Sequence, residues 1–183
     1  SWRGRGELKT LTSIEPLNSC RLLGHRLFCG LYINELILRA VIPGQPIEGL
    51  TELYHVILQQ LSTHSLIEPV LRYFELQLLL LTGYLPSFDY DILTGERLKA
   101  DRFYCYQPGS GFTLAKERTD SYDRRYLYHV RILQSLAIRD FHNCSHYFDF
   151  KRFTRQALAT VLGDRPLKSR ELFIHTHKIK PSI

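Results

Sequence analysis

Leu50, Leu53, Tyr54, Ile57, Leu58 and Leu61 recur at intervals of three and four. That spacing lays one apolar stripe along an α-helix and predicts a helix that ends near Thr63-His64-Ser65. The stretch from Leu22 to Val41 is helical too. Leu27, Leu31, Asn34 and Leu38, with Phe28, Ile33, Leu36 and Ile37, spread its apolar positions over most of the surface. A helix apolar on most sides is buried on most sides. Pro43, Gly44 and Pro46 stop it. A third helix is predicted from Glu68 to Leu81, with Pro69 in the first turn, where no N–H partner is lost, and Gly83 as its stop. Residues 84–121 change period. Arg102–Tyr106 and Gly111–Leu114 read as a hairpin across Gln107-Pro108-Gly109-Ser110. Helical patterning returns over 122–139, and again through Phe150, Phe153, Ala157, Leu158, Val161 and Leu162. Ser169 is placed to cap a last short helix through Phe173. At the front, Leu8-Lys9-Thr10-Leu11-Thr12 alternates like a strand. A lone strand is unstable in water, so its sheet is expected to lie in chain preceding Ser1. The expected architecture is mainly α: a helical bundle with a leading strand and a small β insert at about 85–120.

Composition changes this picture little. The 183 residues are 44% hydrophobic and 23% charged, close to globular averages, which argues against a largely disordered chain. No run approaches the roughly 18 apolar residues of a membrane span. The cysteines at 20, 29, 105 and 144 lack zinc-knuckle spacing and read as thiols of a reducing cytoplasm. The sequence holds no methionine and opens in mid-pattern, so a longer protein is expected in front of Ser1.

The net charge of +6 is unevenly spread: residues 1–14 carry +2, 15–150 carry −2 and 151–183 carry +6. A clustered positive field draws polyanions. Arg3, Arg5 and Lys9 at the front, and Lys151, Arg152, Arg155, Lys168 and Arg170 at the back, are the candidate nucleic-acid contacts. Lys151 and Arg155 share one face at i, i+4, Phe150, Phe153 and Ala157 anchor the other, and Arg152 lies between. Such a stripe fits phosphates or an acidic peptide equally well.

The sequence offers little catalytic chemistry. No phosphate-binding loop, nucleophile elbow or nucleophile–base pair occurs. Asp89-Tyr90-Asp91 reads as a solvated acidic loop. His142-Asn143-Cys144-Ser145-His146 holds three metal-type donors in five residues, but the spacing suits few zinc sites, and it reads as a polar loop. The expectation is a binding protein, not an enzyme, with no metal or cofactor.

Five segments carry a resemblance: Gly4-Arg5-Gly6-Glu7-Leu8-Lys9-Thr10-Leu11, Gly30-Leu31-Tyr32-Ile33-Asn34-Glu35-Leu36, Leu71-Arg72-Tyr73-Phe74-Glu75-Leu76 with Gly83-Tyr84, Lys151-Arg152-Phe153-Thr154-Arg155, and Arg165 to Phe173, RPLKSRELF. In this order they resemble the bacterial RecO family of recombination mediators, with 85–145 the least similar part. The resemblance implies that residues 1–14 end a truncated N-terminal OB-fold and that 15–183 form the helical domain. It implies binding of single- and double-stranded DNA, annealing, action with RecR to help load RecA, and capture of the acidic tail of single-stranded DNA-binding protein (SSB). It also implies a cytoplasmic, nucleoid-associated protein. Many relatives carry paired cysteines in the insert. Ser87 to Ile92 has none, so Phe103, Tyr104, Tyr106 and Phe112 are expected to hold the hairpin in place of zinc. Arg72 matches an arginine the family uses for the SSB tail, which ends in aspartates and an apolar residue with a free carboxylate. A guanidinium can grip that carboxylate, and Leu53, Ile57 and Leu61 are the expected apolar lining. Replacing Arg72 by Ala is expected to reduce tail binding sharply and leave the fold intact. The alternative function is a protein–protein adaptor that hardly touches DNA.

Overall fold

The computed structural model describes residues 1–4, 10–15, 20–115, 123–139, 141, 146–163 and 165–178. Helices α1 (His25–Ala40), α2 (Leu50–Thr63) and α3 (Ile67–Leu81) follow the apolar periodicity. Gly83, at φ 77°, ends α3 in the left-handed region that a side chain would strain. The stripe of α2 buries Ile57 and Leu61 against α3, whose Phe74, Leu78 and Leu79 are inaccessible. Helices α4 (Val130–Ile138), α5 (Tyr147–Leu162) and α6 (Lys168–Lys178) complete the bundle.

Two short strands, β1 (Trp2–Arg3) and β2 (Thr10–Leu11), pair antiparallel. The front strand thus finds a partner inside this chain. The insert forms β3 (Phe103–Gln107) and β4 (Gly111–Leu114), paired as the hairpin pattern predicts. A third strand, β5 (Leu127–His129), lies on the other edge of β3. The helical pattern over 122–139 therefore overreaches. Leu127–His129 is extended because β3 offers it a free edge, with Tyr128 opposite Tyr104. The helix begins only where the His129 ring accepts the Arg131 N–H.

The sheet sits on α5 through an aromatic cluster. Phe153 contacts Phe88, Tyr106, Phe112 and Tyr128 at centroid distances of 5.3, 5.1, 5.8 and 6.0 Å. Tyr104, Tyr106 and Phe112 are buried as expected; Phe103 is not. It lies at the sheet surface, edge-on to His129. Asp91 is also not a solvated acid. It is buried, and its carboxylate accepts the N–H groups of Leu93, Thr94 and Leu114 at 2.8, 3.2 and 2.7 Å. One side chain thereby fixes the turn before the hairpin to the end of β4. No helix among the described residues is long and apolar enough to cross a membrane.

Arginines and a glutamate of α1 set the bundle's corners. Arg26 donates to the Leu61 and His64 carbonyls at the end of α2. Arg39 donates to the Leu162 carbonyl at the end of α5 and to the Arg165 and Pro166 carbonyls in the link to α6. Each fills helix-end carbonyls that have no partner within the helix. Between them, Glu35 receives the N–H groups of Lys168 and Ser169 at 2.9 Å each and the Ser169 hydroxyl at 2.6 Å. Ser169 is therefore a donor to Glu35, and the carboxylate, favoured at a helix N-terminus, starts α6 and fixes it to α1.

Candidate peptide-binding groove

With α6 fixed to α1, a groove of about 510 Å³ opens between α6 on one side and α3 and α5 on the other. Its apolar lining comes from Phe28 and Tyr32 of α1, Ile67 and Leu71 of α3, and Phe173 and Ile174 of α6. Phe173 meets the rings of His25 and Phe28 at 5.7 and 6.0 Å, closing one end of that lining. Four cations reach it: Arg72 from α3, Lys151 and Arg155 from α5, and Arg170 from α6. The i, i+4 stripe of α5 does present Lys151 and Arg155 together. Residues separated into two candidate sites by the sequence, one for DNA and one for a peptide, thus share a single groove.

Arg72 is the deepest of the four, 4% exposed. Its Nη2 lies 2.6 Å from the Glu75 carboxylate and its Nη1 donates to Thr154 at 3.1 Å. Glu75 is 1% exposed and also accepts the Tyr32 hydroxyl at 2.7 Å. Burial pushes the Glu75 carboxyl above its ordinary range even against the pull of Arg72. The Arg72 Nε and the Glu75 Oε2 have no protein partner. At the rim, Glu68 accepts Lys151 at 2.9 Å and the Tyr147 hydroxyl at 2.5 Å. Burial opposes its charge, but those two donors and Arg72 together hold its carboxyl below the usual range.

Among the described residues, Arg155 and Arg170 have no carboxylate partner. Burial lowers the Arg155 affinity for its proton, and the nearby Arg170 and Arg72 lower it further. Like charges held together without a counter-charge favour an anionic ligand. Cys29 lines the same groove, and burial raises its thiol pKa, which keeps it protonated and unreactive.

Other predicted residues fall elsewhere. Ile57 and Leu61 are wholly buried in the α2–α3 core, and half-buried Leu53 packs against that core, so none of the three lines the groove. The same period marks a core stripe and a pocket wall, which is why the sequence could not separate them. Arg152 is committed to structure: it donates to the carbonyls of Arg124 and Leu127, pairs with Asp149 at 2.8 Å and lies 4.3 Å above the Tyr128 ring. Its two Nη groups tie β5 to α5, and a phosphate contact through them would break that tie. Lys168 and Arg3 are exposed but away from the groove lining; Arg5 and Lys9 lie outside the described residues. So do residues 142–145, with most of the His142–His146 donor cluster. The described residues contain no group of three His, Cys, Asp or Glu side chains able to hold a metal ion.

The family described as Recombination protein O C terminal matches residues 22–171, most of the chain and every groove helix in whole or part. This chain belongs to the RecO family. It is similar to the DNA repair protein RecO of Actinobacillus succinogenes, 39% identical over 177 residues that cover 95% of this chain and 72% of the relative. The RecO proteins of Psychromonas ingrahamii and Pasteurella multocida are likewise 39% identical, covering 94% of this chain and 73% and 70% of theirs. The mainly α architecture with a small antiparallel sheet is thus that of a RecO C-terminal region. Residues lining the groove, from His25 to Arg170, fall within the matched stretch, whereas Phe173 and Ile174 lie just beyond it.

Proposed function

We propose that the chain is the helical part of a recombination mediator in DNA repair, and that it works by binding rather than by catalysis. The family supports the repair role. The groove supports the mode of action: cations from three helices stand around an apolar floor, a layout suited to a short peptide ending in an apolar residue with a free carboxylate. The apolar side chain enters between Phe28, Leu71 and Phe173. The terminal carboxylate and neighbouring aspartates meet Arg155, Arg170 and Lys151, with Arg72 below. The acidic tail of SSB has this chemistry, and a mediator that holds it is brought to coated single strands. On this reading residues 1–14 are the end of an OB-fold, and DNA binding, annealing, RecR contact and RecA loading belong to the whole protein.

The observation that carries the proposal is the convergence of Arg72, Lys151, Arg155 and Arg170 on one apolar-lined groove. Its test is a fluorescence titration with an SSB-tail peptide and with the same peptide amidated at its C-terminus. The free-carboxylate form binds, and the amide binds at least tenfold more weakly. Equal affinities refute the assignment.

A second reading, an adaptor with little DNA affinity of its own, has a specific support. Arg152 is engaged in structure, and three other candidate DNA contacts, Lys151, Arg155 and Arg170, line the peptide groove. Salt separates the readings. Binding through phosphates falls steeply as salt rises because counterions are released. A chain without DNA affinity even at low salt is the adaptor.

A further inference from the structure

Among the described residues Glu68 is the one acid in the groove lining, and its position is not that of a plain surface ion pair. It stands in the first turn of α3 with its side chain 44% exposed at the rim. Its Oε1 accepts Lys151 at 2.9 Å, and its Oε2 accepts the Tyr147 hydroxyl at 2.5 Å and lies 3.9 Å from the Arg72 guanidinium. Two of the four groove cations are therefore attended by a carboxylate belonging to the protein itself. Among the described residues, Arg155, one turn further along α5, and Arg170 of α6 are not.

We propose that Glu68 is an internal stand-in for the partner's carboxylate: in the free protein it occupies Lys151 and Tyr147, and an acidic peptide binds by displacing it. The inference rests on the reading that the groove receives an acidic peptide. Three consequences follow from the geometry. Binding becomes an exchange of one carboxylate for another, so Lys151 contributes less net affinity than its position suggests. Neutral or singly charged peptides, unable to offset the loss of the Glu68 contacts, are rejected in favour of ones with several carboxylates. The unpaired Arg155 and Arg170 make the first contact, and Lys151 is engaged second, once Glu68 has swung outward on its exposed side. Glu75 cannot play this part, because it is buried behind Arg72 and held by Tyr32.

The test uses the whole chain and a fluorescein-labelled peptide of several aspartates followed by a Phe with a free carboxylate. Glu68→Gln keeps the shape and the hydrogen bond to Tyr147 but removes the competing charge. A half-exposed ion pair that the peptide must break before it reaches Lys151 withholds up to roughly tenfold in affinity. Glu68→Gln is therefore expected to bind the peptide about tenfold more tightly than wild type. That gain disappears when Lys151→Ala is added. Glu52→Gln, at an exposed position of α2 outside the groove lining, shifts affinity less than twofold. Glu68→Asp withdraws the carboxylate from Lys151 and gives a smaller gain, which serves if the Gln variant folds poorly. If wild type binds and Glu68→Gln binds equally or more weakly, the stand-in role is overturned while the groove reading survives. An equal gain from Glu52→Gln overturns it too, because general charge then explains the effect. If neither wild type nor Glu68→Gln binds at low salt, the groove reading fails and takes this inference with it.

Discussion

Replacing Arg72 by Ala separates the structure from the sequence reading most sharply. On the sequence, Arg72 is a receptor for the tail carboxylate, and its loss spares the fold. In the structure it is the partner of a buried carboxylate: Arg72 is 4% and Glu75 1% exposed, 2.6 Å apart. Truncating one member of a buried pair strands the other and costs about 3–5 kcal/mol. The stranded carboxylate can limit that cost by taking up a proton. From an ordinary value of 4.5, protonating it at pH 7 costs about 3.4 kcal/mol. Arg72→Ala is therefore expected to lose about 3–4 kcal/mol at pH 7, and the pH dependence follows. In the variant the folded pKa of Glu75 rises further above its unfolded value. Stability attached to the protonated form is then present below the unfolded pKa and lost as pH rises toward the folded one. The deficit against wild type shrinks to about 1 kcal/mol near pH 5, where protonation is nearly free. Urea denaturation of both proteins at pH 7 and pH 5 measures this. Arg72→Met with Glu75→Gln removes both charges, keeps a partner for Tyr32, and recovers most of the loss. A single variant within 1 kcal/mol of wild type at pH 7, or a deficit unchanged at pH 5, refutes the buried-pair account. The practical consequence is that lost peptide binding in Arg72→Ala does not by itself locate the site.

Two further changes probe the scaffold. Glu35→Ala removes the acceptor that starts α6 and is expected to cost about 1–2 kcal/mol; hydrogen exchange in α6 quickens and peptide affinity falls as that groove wall loosens. Burial works against the Glu35 charge, but the Ser169 hydroxyl and the two N–H groups outweigh it and lower its carboxyl pKa. Its contribution is thus present above 4.5 and is lost as pH falls through the lowered folded value, so acid frees α6 in wild type and has less effect in the variant. Arg152→Ala is expected to destabilise the chain by about 1–3 kcal/mol through its stranded carbonyls, with peptide affinity within twofold of wild type; a large affinity loss at intact stability places Arg152 in the binding site after all.

The helices were legible because burial on one face imposes a 3.6-residue period that Leu50–Leu61 and Phe150–Leu162 keep plainly. Strand β5 was not, since three residues carry no period and the edge of β3, more than twenty positions earlier, decides their conformation. The cationic half of the groove was partly legible through the i, i+4 pair of α5. Its apolar half was not: Phe28, Leu71 and Phe173 come from three helices far apart in the chain, and only the fold brings them together. The broad apolar surface of α1, wider than one core contact requires, was the available signal. Glu75 offered another. An acid in the apolar middle of a helix, three residues after an arginine, points to a buried pair.

The most direct test of the account concerns the two arginines that no carboxylate among the described residues satisfies. Arg155 and Arg170 are both exposed, so Arg155→Ala with Arg170→Ala leaves the thermal midpoint of the fold nearly unchanged. Titrated with an SSB-tail peptide, the double variant is predicted to bind at least about thirtyfold more weakly than wild type, roughly 1 kcal/mol for each lost charge-assisted contact. Undiminished affinity in a folded double variant would contradict the claim that this groove captures an acidic partner.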